Sequence, residues 1–197
     1  MGKIVCLMGK SASGKDTIFR KLLQGASLNL CTIIPYTTRP IRQGEKDGET
    51  YYFYTEEQLK ELGKKGRIIE LRSYNTAYGT WKYFTADDGQ IKLEEQDYLV
   101  IGTLESFVKM QNYFGRDKLI PVYIETEDGL RLERALTRER QQKTPKYAEM
   151  CRRFLADEED FCIEKREAAG VRRSFQNIKM DKTIKEVMNY IKEELCR

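Results

Sequence analysis

The sequence predicts an α/β chain in which a parallel sheet carries helices on both faces. Three observations predict it. Short apolar runs alternate with segments of helical spacing along the 197 residues. The first run, Ile4 to Met8, leads straight into a glycine-bearing turn and then a helical pattern. Between positions 35 and 85 the composition shifts to Tyr, Thr, Arg and Gly, which marks a small, mostly β insertion between core elements.

The elements follow in order. After the first strand and helix (Ile18 to Leu23), Leu28 to Ile34 reads as a second buried strand stopped by Pro35. In the insertion, Tyr51 to Tyr54, Ile68 to Leu71 and Trp81 to Phe84 are strand candidates rich in aromatic and β-branched residues. Thr55 with Gln58 three residues later is a capping box for a short helix ending near Gly63. Asp87 to Glu95 is expected to return as a helix. Tyr98 to Thr103 is the third core strand, Leu104 to Phe114 the helix behind it, and Leu119 to Ile124 the fourth strand. Pro121 is tolerable there only near a strand start or on an edge, because it donates no ladder bond. A helix from Asp128 carries Arg131, Arg134, Arg138 and Arg140. A polar break at 141–145 precedes a long helix from Lys146 to Glu167. Ser174 to Ile178 is a fifth strand. Thr183 to Leu195 closes the chain as an amphipathic helix with Thr183 as its cap.

Composition narrows the chemistry. The balance of 35 basic against 31 acidic residues is mixed, and so slight a surplus fits a site for polyanionic nucleotides without implying nucleic-acid binding. The five cysteines (Cys6, Cys31, Cys151, Cys162, Cys196) are scattered and show no C-x-x-C spacing. The expectation is therefore reduced thiols and a cytoplasmic chain, not a disulfide framework or a zinc site. No signal-peptide or membrane-spanning pattern is read at any point. With no histidine in the chain, imidazole-based acid–base, triad and metal chemistry is excluded. Catalysis must rest on Lys, Arg, carboxylates and a bound metal.

The stretch Gly9-Lys10-Ser11-Ala12-Ser13-Gly14-Lys15-Asp16-Thr17 sits between strand and helix, the context a P-loop requires. Glycines let the backbone curl so that N–H groups converge on phosphate oxygens, and the helix N-terminus adds its positive end. Lys15 then reaches the outer phosphates as a mobile point charge. The pattern G-x-x-x-x-G-K-[ST] is met except at its last position, where Asp16 stands. These residues form the candidate ATP site. Phosphoryl transfer needs a second phosphate-directed group, and Thr37-Thr38-Arg39-Pro40-Ile41-Arg42-Gln43-Gly44-Glu45 through Tyr51 supplies one. In that segment a turn can bring Arg39 and Arg42 to one anion, with Tyr51 offering a hydroxyl on a rigid stem.

That second segment resembles the GMP-binding signature of guanylate kinases, and the similarity runs along nearly the whole chain. The resemblance implies a three-layer P-loop NTPase fold with a five-stranded parallel sheet, a small, mostly β GMP-binding insertion and an arginine-rich helical lid. It divides the single domain into a core (1–34, 86–134 and 168–197), the insertion (35–85) and the lid (135–167). It implies ATP-dependent phosphorylation of GMP and dGMP, with Mg²⁺ accompanying ATP. Arg39, Arg42 and Tyr51 match the positions that hold the GMP phosphate, and Glu45 the acid of the signature. Glu70 matches the carboxylate that accepts from guanine; Tyr78 meets the phosphate and Thr80 the base. Arg134, Arg138 and Arg153 match the arginines that neutralise the transferring group, and Asn177 a residue near the adenine.

The chain also departs from the family pattern. Asp16 stands where a hydroxyl residue normally binds magnesium, and Gly102, Thr103 and Leu104 stand where acids are expected, with Glu105 the nearest carboxylate. Pro35-Tyr36 replaces a serine pair. Two rival readings remain. A P-loop ending in lysine-aspartate resembles that of ribose 1,5-bisphosphate phosphokinases, and a non-catalytic guanylate kinase-like module would bind protein ligands. The expected partners are small nucleotides, with no nucleic acid or membrane, in a monomer or homodimer.

Overall fold

In the computed structural model, which describes residues 1–25, 27–42, 44–76 and 79–197, the first half of the chain runs as follows. β1 (Ile4–Met8), α1 (Lys15–Gln24), β2 (Leu30–Thr32), β3 (Tyr36–Thr37), β4 (Tyr52–Phe53) and α2 (Glu56–Lys64) lead into β5 (Ile68–Thr76) and β6 (Gly79–Ala86). Then come β7 (Asp97–Ile101), α3 (Leu104–Phe114), a 3₁₀ turn, β8 (Leu119–Glu125), α4 (Asp128–Arg140), α5 (Tyr147–Asp160), α6 (Ile163–Ala168), β9 (Ser174–Gln176) and α7 (Met180–Leu195).

Five strands form a parallel sheet in the order β2-β7-β1-β8-β9. All five residues of β1 are buried, because it is central and covered on both faces. Alternation along the strands divides the core in two. Ile4, Cys6, Met8, Tyr98 and Val100 pack with Phe107 and Met110 of α3 and with Phe161. Val5, Leu7, Leu99, Ile120 and Val122 pack with Ile18 and Leu22 of α1 and Val187 and Ile191 of α7. Each such side chain contributes about 2 kcal/mol through burial. Pro121 sits where β8 has β1 on one side only, since pairing with β9 begins at Tyr123. The missing N–H therefore costs no ladder bond.

A second sheet, β4-β3-β6-β5, lies in the insertion around Tyr36, Leu59, Phe84 and Ala86. The capping box is present: Thr55 Oγ1 accepts from the Gln58 N–H at 3.2 Å, and the Gln58 side chain accepts from the Thr55 N–H at 2.8 Å. β5 and β6 form a longer hairpin than the apolar runs predict, with a register irregularity between Ile68 and Glu70.

Four expectations need correction. The segment from Asp87 to Glu95 is not a helix. Gly89 has a left-handed φ of 91°, and the Gln90 and Leu93 carbonyls accept from the Tyr98 hydroxyl and the Gly2 N–H instead. The long helix breaks into α5 and α6, because Phe161 leaves the helical path to bury against Tyr123 and Cys162 is extended. The closing helix starts at Met180, so Thr183 is not its cap: Thr183 Oγ1 donates to the Gln176 and Lys179 carbonyls from inside the first turn. The second strand is shortened to three residues, with Asn29 at a left-handed φ of 46° before it. No helix among the described residues is long and apolar enough to cross a membrane.

Candidate active site

The turn from Gly9 to Gly14 joins the carboxyl end of β1 to α1. Its path depends on two glycines. A Cβ at Gly9 would lie 2.6 Å from the Ile124 carbonyl oxygen, and one at Gly14 would lie 2.4 Å from Asn177 Nδ2. Ala12 is left-handed at φ 62°, a conformation an L side chain adopts at a cost. The Ser13 carbonyl is held by Asn177 Nδ2 at 2.7 Å and Thr126 Oγ1 at 3.1 Å. Asn177 is thus fully buried and acts on the loop backbone. A cleft lined by Lys10, Thr126, Asp128 and Gln176 opens at the carboxyl ends of β8 and β9, where open α/β sheets take their ligands.

Lys15 and Thr17 open α1 half-buried, and Asp16 is exposed with its carboxylate 4.0 Å from Lys15 Nζ. Burial pushes the Lys15 ammonium below its ordinary pKa. Asp16 and Asp157 pull it back, while Arg153 and Arg138 push it further down. Two of the three proposed lid arginines are therefore close enough to be felt at Lys15. Arg153 also reaches Ser11 Oγ at 3.3 Å. Arg134, one turn before Arg138 on α4, is half-buried.

Acidic and basic groups from α4 and α5 clasp the loop from outside. Asp157 accepts from the Ser11 N–H at 2.6 Å, and Lys10 donates to Glu158. Arg131, its side chain only 1% exposed, donates to the Ser11 carbonyl at 3.1 Å, Asp128 at 2.5 Å, Glu158 at 2.8 Å and Asp157 at 3.3 Å. Phe154 lies under its guanidinium at 4.6 Å. Sequence reasoning gave no role to Arg131, Asp157 or Glu158. The one signal was that Arg131 falls a helical turn before Ala135, on the stripe that α4 buries.

The second cluster belongs to the insertion. Arg39 is buried between the rings of Tyr51 and Phe53, each 5.3 Å from its guanidinium carbon. Glu45 takes the end of that guanidinium through bonds of 2.8 and 2.6 Å, and also accepts from the Arg42 N–H at 2.8 Å. The Arg39 side chain holds the Glu45 carboxyl down at about 2, with the Arg42 N–H assisting against burial. Arg42 itself is exposed. Glu45 therefore orients Arg39, and with the Pro40 carbonyl it uses three of the five donors a guanidinium carries.

Glu70, also buried, faces Arg72 two residues along β5. Arg72 Nε and Nη2 reach its two oxygens at 2.9 and 3.2 Å, and Thr85 Oγ1 donates at 3.0 Å. Arg72 extends to Thr103 Oγ1 at 3.4 Å. Thr80 is exposed and donates to Asn75 at 3.0 Å. Tyr78 lies outside the described residues. The absent third-strand acids have a packing explanation. A Cβ at Gly102 would meet Cys6 Sγ at 2.7 Å and Ser106 Oγ at 2.8 Å, Thr103 caps α3, and Leu104 is buried. Glu105 is paired with Lys109 at 2.6 Å on the surface.

Two donors fit a nucleotide phosphate: among the described residues, the buried Ser13 Oγ and Arg134 Nη1 have no hydrogen-bond partner, and the likewise unpartnered Asn177 Oδ1 is an acceptor open to a donor. No cluster of three or more His, Cys, Asp or Glu able to hold a metal occurs among the described residues. Mg²⁺ is compatible with the single exposed carboxylate of Asp16, because it needs one or two carboxylates and takes the rest from water and substrate phosphates.

The chain is similar to known guanylate kinases in sequence and in fold. Residues 1–88 match the guanylate kinase family model. A guanylate kinase of Malacoplasma penetrans is 26% identical over 194 residues, covering 94% of this chain and 96% of its own. One from Prochlorococcus marinus (strain NATL2A) is 41% identical over 83 residues, covering 42% of this chain and 44% of its own. The crystal structure of guanylate kinase from Anaplasma phagocytophilum superposes with a TM-score of 0.67 at 21% identity, covering 100% of this chain and 87% of that one. The strand–P-loop–helix unit and the arginine–tyrosine segment both fall within the stretch matched by the family model, the alignment at 26% identity carries the similarity along nearly the whole chain, and the solved structure shares the fold.

Proposed function

We propose that this protein transfers the γ-phosphoryl group of ATP to the phosphate of GMP and dGMP, yielding ADP and GDP or dGDP. One observation carries the reading. Lys15 opens the P-loop helix within the field of Arg138 and Arg153, while the second sheet holds a preorganised arginine, Arg39, between two aromatic rings.

In this reading ATP lies on Gly9 to Thr17. The residues at 1–34, 86–134 and 168–197 act as core, 35–85 as the acceptor module and 135–167 as lid. Arg39, Arg42 and Tyr51, with Tyr78, hold the acceptor phosphate, and Glu70 and Thr80 lie toward the base. No protein nucleophile takes part: an acceptor phosphate oxygen attacks the γ-phosphorus in line, its bond forms as the bond to the β-phosphate oxygen breaks, and ADP leaves. Lys15, Arg134, Arg138 and Arg153 stabilise the charge on the transferring group. Closure of the lid excludes water from it. Asp16 and the phosphates would hold Mg²⁺, which would supply further charge neutralisation there. The protein works in the cytoplasm on small nucleotides, as a monomer or homodimer.

The test is ADP release from ATP–Mg²⁺ with GMP, dGMP, AMP, UMP and ribose 1,5-bisphosphate as separate acceptors. Rapid turnover with GMP and dGMP is expected. Turnover with the sugar bisphosphate alone would overturn the assignment in favour of the sugar-phosphate kinase, and none with any acceptor would favour the binding module.

A further inference from the structure

The face of β5 and β6 that carries Glu70 has a continuous order. Arg72 lies opposite Tyr83 and Glu70 opposite Thr85. Tyr83 meets Tyr51 edge-on at 5.6 Å, and Tyr51 in turn lies under Arg39. An acceptor nucleotide with its phosphate at Arg39 thus has its base directed along this face toward the Glu70–Arg72 pair. That pair is buried, the side chains being 1% and 13% exposed. Glu70 is not an open acceptor: of about four lone-pair positions, Arg72 takes two and Thr85 a third. To receive two donors from a base it must give up at least one of these bonds, and loosening Arg72 would weaken the pairing of a buried cation, which is unfavourable. Beyond Glu70, Arg72 reaches Thr103 Oγ1 through a long bond of 3.4 Å and has the Tyr74 side chain as a further partner. Just past β7, Gly102 has no room for a side chain that could bring a carboxylate to this end.

We propose that Arg72, fixed in orientation by Glu70, is the base-selecting residue of the acceptor site, and that it selects purines bearing a 6-oxo group with little regard to the 2-amino group. The proposal rests on the reading of the protein as a nucleoside monophosphate kinase. A guanidinium presents donors only, and these match the O6 and N7 acceptors that guanine and hypoxanthine share. Adenine sets an amino donor against it. Glu70 is the positioning residue, and its negative charge is satisfied within the wall.

The experiment measures kcat/KM for GMP, IMP and AMP with saturating ATP–Mg²⁺, and the dissociation constants of the same nucleotides by calorimetry without ATP. It uses wild type, Arg72→Gln and the double variant Glu70→Gln/Arg72→Gln, which leaves no unpaired charge if the single variant folds poorly. In wild type, IMP is expected within about tenfold of GMP, and AMP at least about a hundredfold poorer. Arg72→Gln and the double variant lower kcat/KM for GMP and IMP together by about tenfold to a hundredfold, with AMP and the KM for ATP unmoved. Rejection of IMP by more than about a hundredfold in wild type, or an intact GMP-to-AMP ratio in a folded variant, would overturn the proposal. Selective binding of GMP and IMP without turnover would unseat the transferase reading and leave this one standing. Failure to bind any of the three would overturn both.

Discussion

The two anion sites proposed for this protein are built from different materials. The P-loop is backbone: its donors are N–H groups held by glycine geometry, and the carboxylate that meets one of them, Asp157, comes from 146 residues away. The arginine site is side chain: its donor is Arg39, and the carboxylate that orients it, Glu45, is six residues away in the same loop. A backbone site is held through its own main-chain groups, so the side chains that brace it can be recruited from distant elements. A side-chain site must be held locally, because a guanidinium on a long stem otherwise has many orientations, each costing entropy to select. The first arrangement couples phosphate binding to the position of α5, and the second fixes its arginine independently of that helix.

The largest effect that sharpens this contrast is expected at the one charged side chain of the loop that is aimed at the transferring group. Lys15→Met should lower kcat by about a thousandfold or more, since it removes a charge aimed at the transferring group. Thermal stability should remain within a few degrees of wild type, because burial already disfavours the charged form of Lys15. ADP release and a melting curve on one preparation check both halves. Full turnover in a folded variant would remove the P-loop from the chemistry.

The same contrast decides what the sequence made legible. The P-loop was readable because glycine spacing, an apolar strand and a helical pattern are contiguous. The Thr55 capping box and the bounds of α3 were readable because each is set within one turn of chain. Glu45 was readable for the same reason as part of a local signature. Asp157 and Glu158 were not, since nothing in a helix face says which loop it will meet. Arg72 was passed over although Glu70 stands two residues away on the same strand face, because its contact with Thr103 arises only where α3 docks on β5. The break at Phe161 depends on Tyr123, an element away, as the loss of helix at 87–95 depends on Tyr98.

Acid should act on the side-chain site first. The Arg39 guanidinium, with the Arg42 N–H, holds the Glu45 carboxyl at about 2, well below its ordinary value. A carboxyl so depressed stabilises the fold above its unfolded value, about 4.5, and that contribution is lost as pH falls through the folded value. After allowance for solvent screening the loss is about 1–2 kcal/mol between pH 5 and pH 2. Urea midpoints at pH 6, 4 and 3 should show this decline in wild type and a shallower one in Glu45→Gln. Parallel declines would mean that the pair contributes no pH-dependent stability.

A smaller effect is expected where α5 meets the backbone site. Asp157→Asn keeps an oxygen for the Ser11 N–H but removes a negative charge that an incoming polyphosphate must approach. The KM for ATP should fall about twofold to fivefold with kcat little changed, the scale of one partly exposed charge. A rise in KM would show instead that Asp157 holds the loop in its binding shape.

The smallest effect tests the backbone site alone. Ala12 is left-handed at φ 62° although it carries a Cβ, and such a conformation costs an L residue about 1–2 kcal/mol. Glycine would relieve that strain but enlarge the unfolded ensemble, returning about 0.4–1 kcal/mol. The balance favours Ala12→Gly by about 0.5 kcal/mol, a rise in melting temperature of a degree or two for a chain of this size. Because the change touches no charge, the KM for ATP should hold. Stabilisation with weakened ATP binding would show that the strain is itself used to aim the loop N–H groups, and the backbone site would then depend on a side chain after all.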